Sequence, residues 1–182
     1  MKEFQIRDAV SGNATAIARI YEHYVRTSCF TFEEVAPTPD EIAARISKVK
    51  TAGLPCCVAE GSNGSVIGYV YASPFHPRSA YRYSLENSVY IASDHTGQGI
   101  GTALMEHLIG RCTALGYRQM VALIGDRQNG TSARLHARLG FKPVGTLSAI
   151  GFKFGRWVDV YEMQLALGDG SRSIPVSDPQ TT

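Results

Sequence analysis

No stretch of this 182-residue chain approaches the ~20 consecutive apolar residues that a membrane-spanning helix requires. The opening residues Met1–Asp8 lack the apolar core of a secretory leader and alternate instead, so none is expected. An excess of charge is also missing. The formal net charge is +2 with the basic residues scattered, which leaves no electrostatic footprint for nucleic acid. Cysteine is scarce and unpatterned: Cys29, Cys56, Cys57 and Cys112 show neither CxxC nor His-rich spacing. That argues against a zinc site and reads as buried, reduced thiols. The expectation is a cytoplasmic protein with no metal, no membrane contact and no nucleic-acid partner.

The chain is long enough for one domain with a full core, predicted over residues 1–167. Residues 168–182 are rich in Gly, Ser, Pro, Asp and Thr and read as a disordered tail. Phe4–Asp8 alternates as a half-buried strand would, and Ile17, Ile20, Tyr21, Tyr24 and Val25 recur at helical spacing. A second helix starts near Thr38 or Asp40 and stops at Gly53. Two apolar runs, Cys56–Ala59 and Val66–Ala72, flank Asn63-Gly64, a hairpin signal because both residues accept positive φ. A strand over 84–93, a helix to about Leu115, a strand over 119–124, a short helix from Ser132 to Leu139 and two closing strands follow. Pro143 confines the first of these two to an edge or a bulge.

The richest segment joins the strand from Ser84 to the turn Thr96-Gly-Gln-Gly-Ile-Gly101 and the helix beyond. Glycines at 97, 99 and 101 leave backbone N–H groups bare at a helix N-terminus, a seat for a phosphate-bearing ligand. The spacing GxGxG fails the dinucleotide pattern GxGxxG, and no Gly-Lys-Ser/Thr follows as a nucleotide P-loop needs. A plain tight turn would account for the glycines equally well. Glu86, on the entering strand, could handle a proton close to such a ligand. The aromatic and basic loop Phe75–Tyr83 suits a small anion.

With Asn129-Gly-Thr-Ser132 and Leu135-His-Ala-Arg-Leu-Gly-Phe141 added, the sequence resembles the GNAT acetyltransferase superfamily. Gly68–Ala72, Arg78–Arg82, Glu86–Tyr90, Val121–Gly125 and Gly151-Phe-Lys-Phe-Gly-Arg-Trp-Val-Asp159 look like its phosphinothricin and methionine sulfoximine branch. The resemblance covers about Ile6 to Leu167. It implies an α/β GNAT fold: a mixed central sheet of about seven strands, splayed at its centre and flanked by helices. It further implies acetyl-CoA as co-substrate, a small amino-acid-like acceptor and a homodimer. Acetyl-CoA would be held by the backbone of Val89, Tyr90 and Ile91, by Thr96, Gly97, Gln98, Gly99, Ile100, Gly101 and Thr102, and by Asn129 and Ser132. Thr96 departs from the family's usual Gln or Arg at its position.

The same resemblance makes Glu86 the general base for the acceptor's α-amine. His136 stands where many relatives present a tyrosine to the departing sulfur, and would donate that proton or orient Glu86 or a water. Phe32, Arg78, Tyr81, Glu86 and Tyr90 would bind the acceptor, Arg78 through its planar fork. Transfer is expected to be direct, within a ternary complex. No role is assigned to His23, His95 or His107, and Cys112 falls inside a helix. Two other readings compete: acetylation of another small amine or a protein N-terminus, and a non-catalytic acetyl-CoA sensor.

Overall fold

The computed structural model of the protein describes residues 4–126 and 130–179. Among these the elements run β1 (Phe4–Asp8), α1 (Ala14–Thr27), α2 (Pro39–Thr51), β2 (Cys56–Gly61), β3 (Val66–Pro74), β4 (Ser84–Ile91), α3 (Ile100–Ala114), β5 (Gln119–Gly125), α4 (Gly130–Arg138), β6 (Lys142–Lys153) and β7 (Arg156–Ala166). The order matches the sequence reading, and local chemistry explains the boundaries. Thr38 Oγ1 accepts the Glu41 N–H while the Glu41 carboxylate accepts the Thr38 N–H, a reciprocal cap that starts α2 behind Pro39. Gly116, at φ +87°, follows the last turn of α3 in the left-handed region that ends a helix.

The strands form one seven-stranded sheet in the order β1-β2-β3-β4-β5-β7-β6. Every neighbouring pair is antiparallel except β4 and β5. One face packs on α3 through Leu85, Leu104, Met105, Leu108 and Met120. The other packs on α1 and α2 through Ile17, Ile20, Ile42, Ile46, Val58 and Tyr69. Side chains alternate along β4, so Leu85, Val89 and Ile91 belong to the α3 face and Tyr90 to the α1 face.

The parallel pair is incomplete, and this opens the site. Strands β4 and β5 are in register only from Ser84↔Gln119 to Glu86↔Val121, although they continue to Ile91 and Gly125. Beyond Glu86 they diverge. The register of β6 slips at Pro143/Gly145 and at Leu147/Gly151, and β6 is one of the sheet's two edge strands, as Pro143 predicts.

The four cysteines are free and buried, and burial pushes the Cys57 thiol up to about 11 and those of Cys56 and Cys112 to about 12. Residues 168–179, part of the segment expected to be a disordered tail, contain no helix or strand and lie against the body. Tyr83 Oη donates to the Ser177 carbonyl and Arg118 reaches Ser173 Oγ. Among the described residues no helix is long and apolar enough to cross a membrane, and no group of three or more His, Cys, Asp or Glu is placed to hold a metal ion.

Candidate active site

The divergence of β4 from β5 opens into a cavity of about 1030 Å³. Its walls come from the outer half of β4, the turn before α3, the start of α4, the end of β5 and the loop between α1 and α2. A volume of this size suits an extended cofactor together with a small second ligand.

At one end lies the glycine turn. Gly97 and Gly99 adopt φ +78° and +79°, values that an L side chain takes only with strain. A Cβ on either would meet nothing within 4 Å, so backbone geometry rather than crowding calls for glycine there. The amides that follow open α3, where unpaired N–H groups and the helix dipole favour an anion. Thr96, Gly97, Gly99, Ile100, Gly101 and Thr102 line the cavity, whereas Gln98 is exposed and does not. Ser132 lines it from α4. Asn129 lies outside the described residues. His95, Thr131, Arg134 and Arg138 also line the cavity and were missed by the sequence reading. The i, i+4 spacing of Arg134 and Arg138 on one helix face was the available signal.

The middle of the cavity is the free edge of β4. Backbone N–H and C=O groups alternate between the two sides of a strand. The Ala92 N–H donates to Ile67 O on the β3 side at 2.9 Å, and the Ile91 carbonyl points away to accept Tyr24 Oη at 2.6 Å. By the same alternation Val89 and Ile91 turn their amides and carbonyls into the gap, while those of Tyr90 turn toward β3. The expectation of three backbone positions therefore reduces to two, and at Ile91 the carbonyl already accepts from Tyr24, which leaves its N–H. Tyr90 still lines the cavity, its ring stacked 5.4 Å from that of Tyr69.

Where β4 leaves β5, Asn87 bridges the opening. Its Nδ2 donates to the Val121 carbonyl of β5 at 2.9 Å, and its Oδ1 meets His136 Nε2 at 2.9 Å. His136 is 3% exposed, with its ring edge-on to Phe141. Burial holds its pKa below the ordinary histidine value, opposed by the Ser132 carbonyl 2.8 Å from Nδ1. The two ring nitrogens thus face two acceptor oxygens, Asn87 Oδ1 at Nε2 and the Ser132 carbonyl at Nδ1, so a neutral ring can donate to only one of them at a time. Asn87 was not among the residues singled out from the sequence. An isolated Asn inside a strand pattern carries no spacing signal, and its partners are remote in sequence.

Glu86 leaves β4 on the face opposite Asn87, toward α1. It is half-buried in the cavity wall, and burial alone pushes its carboxyl above the usual carboxylate range. A carboxylate so placed can accept a proton from a ligand amine. Glu86 and His136 therefore flank the opening from opposite faces of the sheet. Tyr71, Leu123 and Phe32 line the same cavity. Arg78 and Tyr81 do not line the cavity. They stand exposed on the loop between β3 and β4, where the Tyr81 ring packs 4.8 Å from that of His76.

Comparison with known proteins gives a consistent picture. The profile of the "Acetyltransferase (GNAT) family" matches residues 17–141. A phosphinothricin N-acetyltransferase of Alcaligenes faecalis is 50% identical over 160 residues, covering 88% of this chain and 81% of that one. An L-methionine sulfoximine/L-methionine sulfone acetyltransferase of Pseudomonas aeruginosa is 38% identical over 173 residues, 93% of this chain and 98% of the other. The crystal structure of a phosphinothricin acetyltransferase from Sinorhizobium meliloti in complex with acetyl-CoA superimposes with a TM-score of 0.92. It is 43% identical, and the match covers 96% of this chain and 94% of that chain.

Proposed function

The chain belongs to the GNAT acetyltransferase family, and from that premise we propose that it acetylates the α-amino group of a small amino-acid analogue of the phosphinothricin, methionine sulfoximine or methionine sulfone type. The observation that carries this reading is the opening between β4 and β5. A glycine turn suited to phosphates lies at one end, a proton-accepting carboxylate at the other, and the free amides of Val89 and Ile91 between them.

The residues fit acetyl-CoA. The amides at the start of α3 would receive its pyrophosphate, and Arg134 and Arg138, which line the same cavity, would add positive charge. Val89 and Ile91 would hydrogen-bond its pantetheine amides, and a β4 N–H would polarise the acetyl carbonyl. Bound acetyl-CoA supplies an acetyl group on a thioester that a neutral amine can attack. An α-ammonium is largely protonated at neutral pH. Glu86 takes its proton, directly or through one water, and frees the nitrogen lone pair. The N–C bond then forms as the C–S bond breaks, within a ternary complex and without an acyl-enzyme. Both ring nitrogens of His136 face protein groups, so its role in this reading is to hold Asn87 and the opening. The nitrogen releases its second proton to solvent as the amide forms, and the departing thiolate takes one from solvent to give the free thiol.

This assignment sets the sign of the pH dependence. Glu86 acts as a base only when ionised, and burial raises its pKa. The acid limb of kcat/KM is therefore expected above the ordinary glutamate value, with activity falling as pH drops through it. Initial rates from pH 4.5 to 8 check this, and a limb that persists in Glu86→Gln would contradict it.

We also propose that the protein is a homodimer. The hairpin of β6 and β7 exposes Leu147, Ile150, Phe152, Phe154 and Trp157, an apolar area of the kind that marks an interface. Trp157→Glu is expected to yield monomers in sedimentation experiments, and wild-type protein that sediments as a monomer would contradict the proposal. The transfer reaction itself is tested by locating the product's acetyl group with NMR after incubation with acetyl-CoA and methionine sulfone. Acetyl on the α-nitrogen is expected, and acetyl elsewhere or none would contradict it.

A further inference from the structure

Lys153 is the one buried lysine among the described residues, at 2% exposure. A buried ammonium costs free energy that a methionine of similar length would avoid, so its presence calls for a task. Its Nζ donates to the carbonyl of Thr31 at 2.8 Å, across 122 positions of sequence. Thr31 belongs to the segment Cys29–Phe32 between α1 and α2, whose residues line the same cavity as Glu86.

That segment is held from both halves of the chain. On the helix side Thr31 Oγ1 pairs with Tyr21 Oη at 2.5 Å. On the strand side the Phe32 ring lies on Gly151, where a Cβ would overlap it, and the Cys29 carbonyl lies on Gly125 in the same way. Arg156 Nη2 reaches Cys29 Sγ at 3.5 Å. Gly125 and Gly151 allow the close approach, and of these contacts on the strand side the one from Lys153 is the hydrogen bond to a backbone oxygen of the segment. Lys153 itself does not line the cavity.

We propose that Lys153 is a positioning residue that sets acceptor selectivity by fixing the Cys29–Phe32 segment as a roof over the Glu86 end of the cavity. The proposal rests on the transferase reading above. With the tie in place the roof is low and the pocket accepts a compact amine. Without it Phe30 and Phe32 lose their fixed height.

Lys153→Met is expected to raise KM for the compact acceptor about tenfold while KM for acetyl-CoA stays within about twofold. Bulkier amino acids should gain relative kcat/KM. Phe32→Leu should produce the same kind of change, and the double variant should be no worse than the more severe single one, because both act through one roof. Equal rises in both KM values, or fully additive losses, would overturn the proposal. Hydrogen exchange gives a readout without turnover. Amides of residues 29–33 should exchange faster in Lys153→Met with the 97–101 turn unchanged, and unaltered exchange at 29–33 would overturn it. Wild-type protein that acetylates nothing would sink the transferase reading while exchange still decides the tie. If Lys153→Met fails to fold, Gly151→Ala displaces the Phe32 ring with Lys153 intact. It must then raise the acceptor KM selectively, and an unchanged KM counts against the roof.

Discussion

Replacing Glu86 with Gln is expected to lower kcat by about 10²- to 10⁴-fold, the range that a positioned general base contributes. The amide keeps the shape of the carboxylate but cannot take the ammonium proton, so acetyl-CoA affinity should stay within about twofold. Stability separates this role from a structural one. Burial raises the Glu86 pKa in the fold above its value in the unfolded chain, so the native state holds the proton more tightly. The contribution of this group is therefore fully present at low pH and is lost as pH rises through the folded pKa. At neutral pH the ionised carboxylate favours unfolding slightly, and Glu86→Gln should leave stability unchanged or raise it. A structural ion pair would give the reverse: lower stability with kcat retained. Rapid kinetics and urea denaturation of the same variant check both halves.

Asn87→Ala is expected to cost about 2–4 kcal/mol of stability, because two buried groups lose their partner at once. The Val121 carbonyl loses its donor and His136 Nε2 loses its partner, both at 2.9 Å in the native fold. No other pairing joins β4 to β5 beyond Glu86↔Val121. The side chain thus stands in for the next rung of a ladder that must end for the cavity to exist. Activity should fall with stability, through weaker binding of acetyl-CoA at the loosened β4 edge. Urea denaturation with linear extrapolation measures the loss, and a change below about 0.5 kcal/mol would show that the opening is held by other means.

Much of the fold was legible because its signals are local. The cap at Thr38, the Asn63-Gly64 turn and the glycines around α3 act over a few residues, and each ends or starts an element where the sequence reading put it. The glycine turn and Glu86 could be found for the same reason, as they lie within one strand–turn–helix segment. What escaped depends on contacts between distant segments. Asn87 matters only because β5 and α4 arrive beside it, and Lys153 only because Thr31 does. The face on which a β4 side chain emerges separates Glu86 from His136, although the motif treated them as neighbours in function. The backbone of Tyr90 was counted as free for a similar reason: its hydrogen-bonding side depends on which neighbour β4 keeps.

The most direct test of the account is the initial rate of free-thiol release from acetyl-CoA across a panel of amines. The panel would hold phosphinothricin, methionine sulfoximine, methionine sulfone, ordinary amino acids, a polyamine and a short peptide. Saturable turnover confined to the phosphinate, sulfoximine and sulfone analogues is the predicted result. Turnover only with the peptide or the polyamine would contradict the acceptor assignment, and silence across the panel with acetyl-CoA bound would contradict catalysis itself.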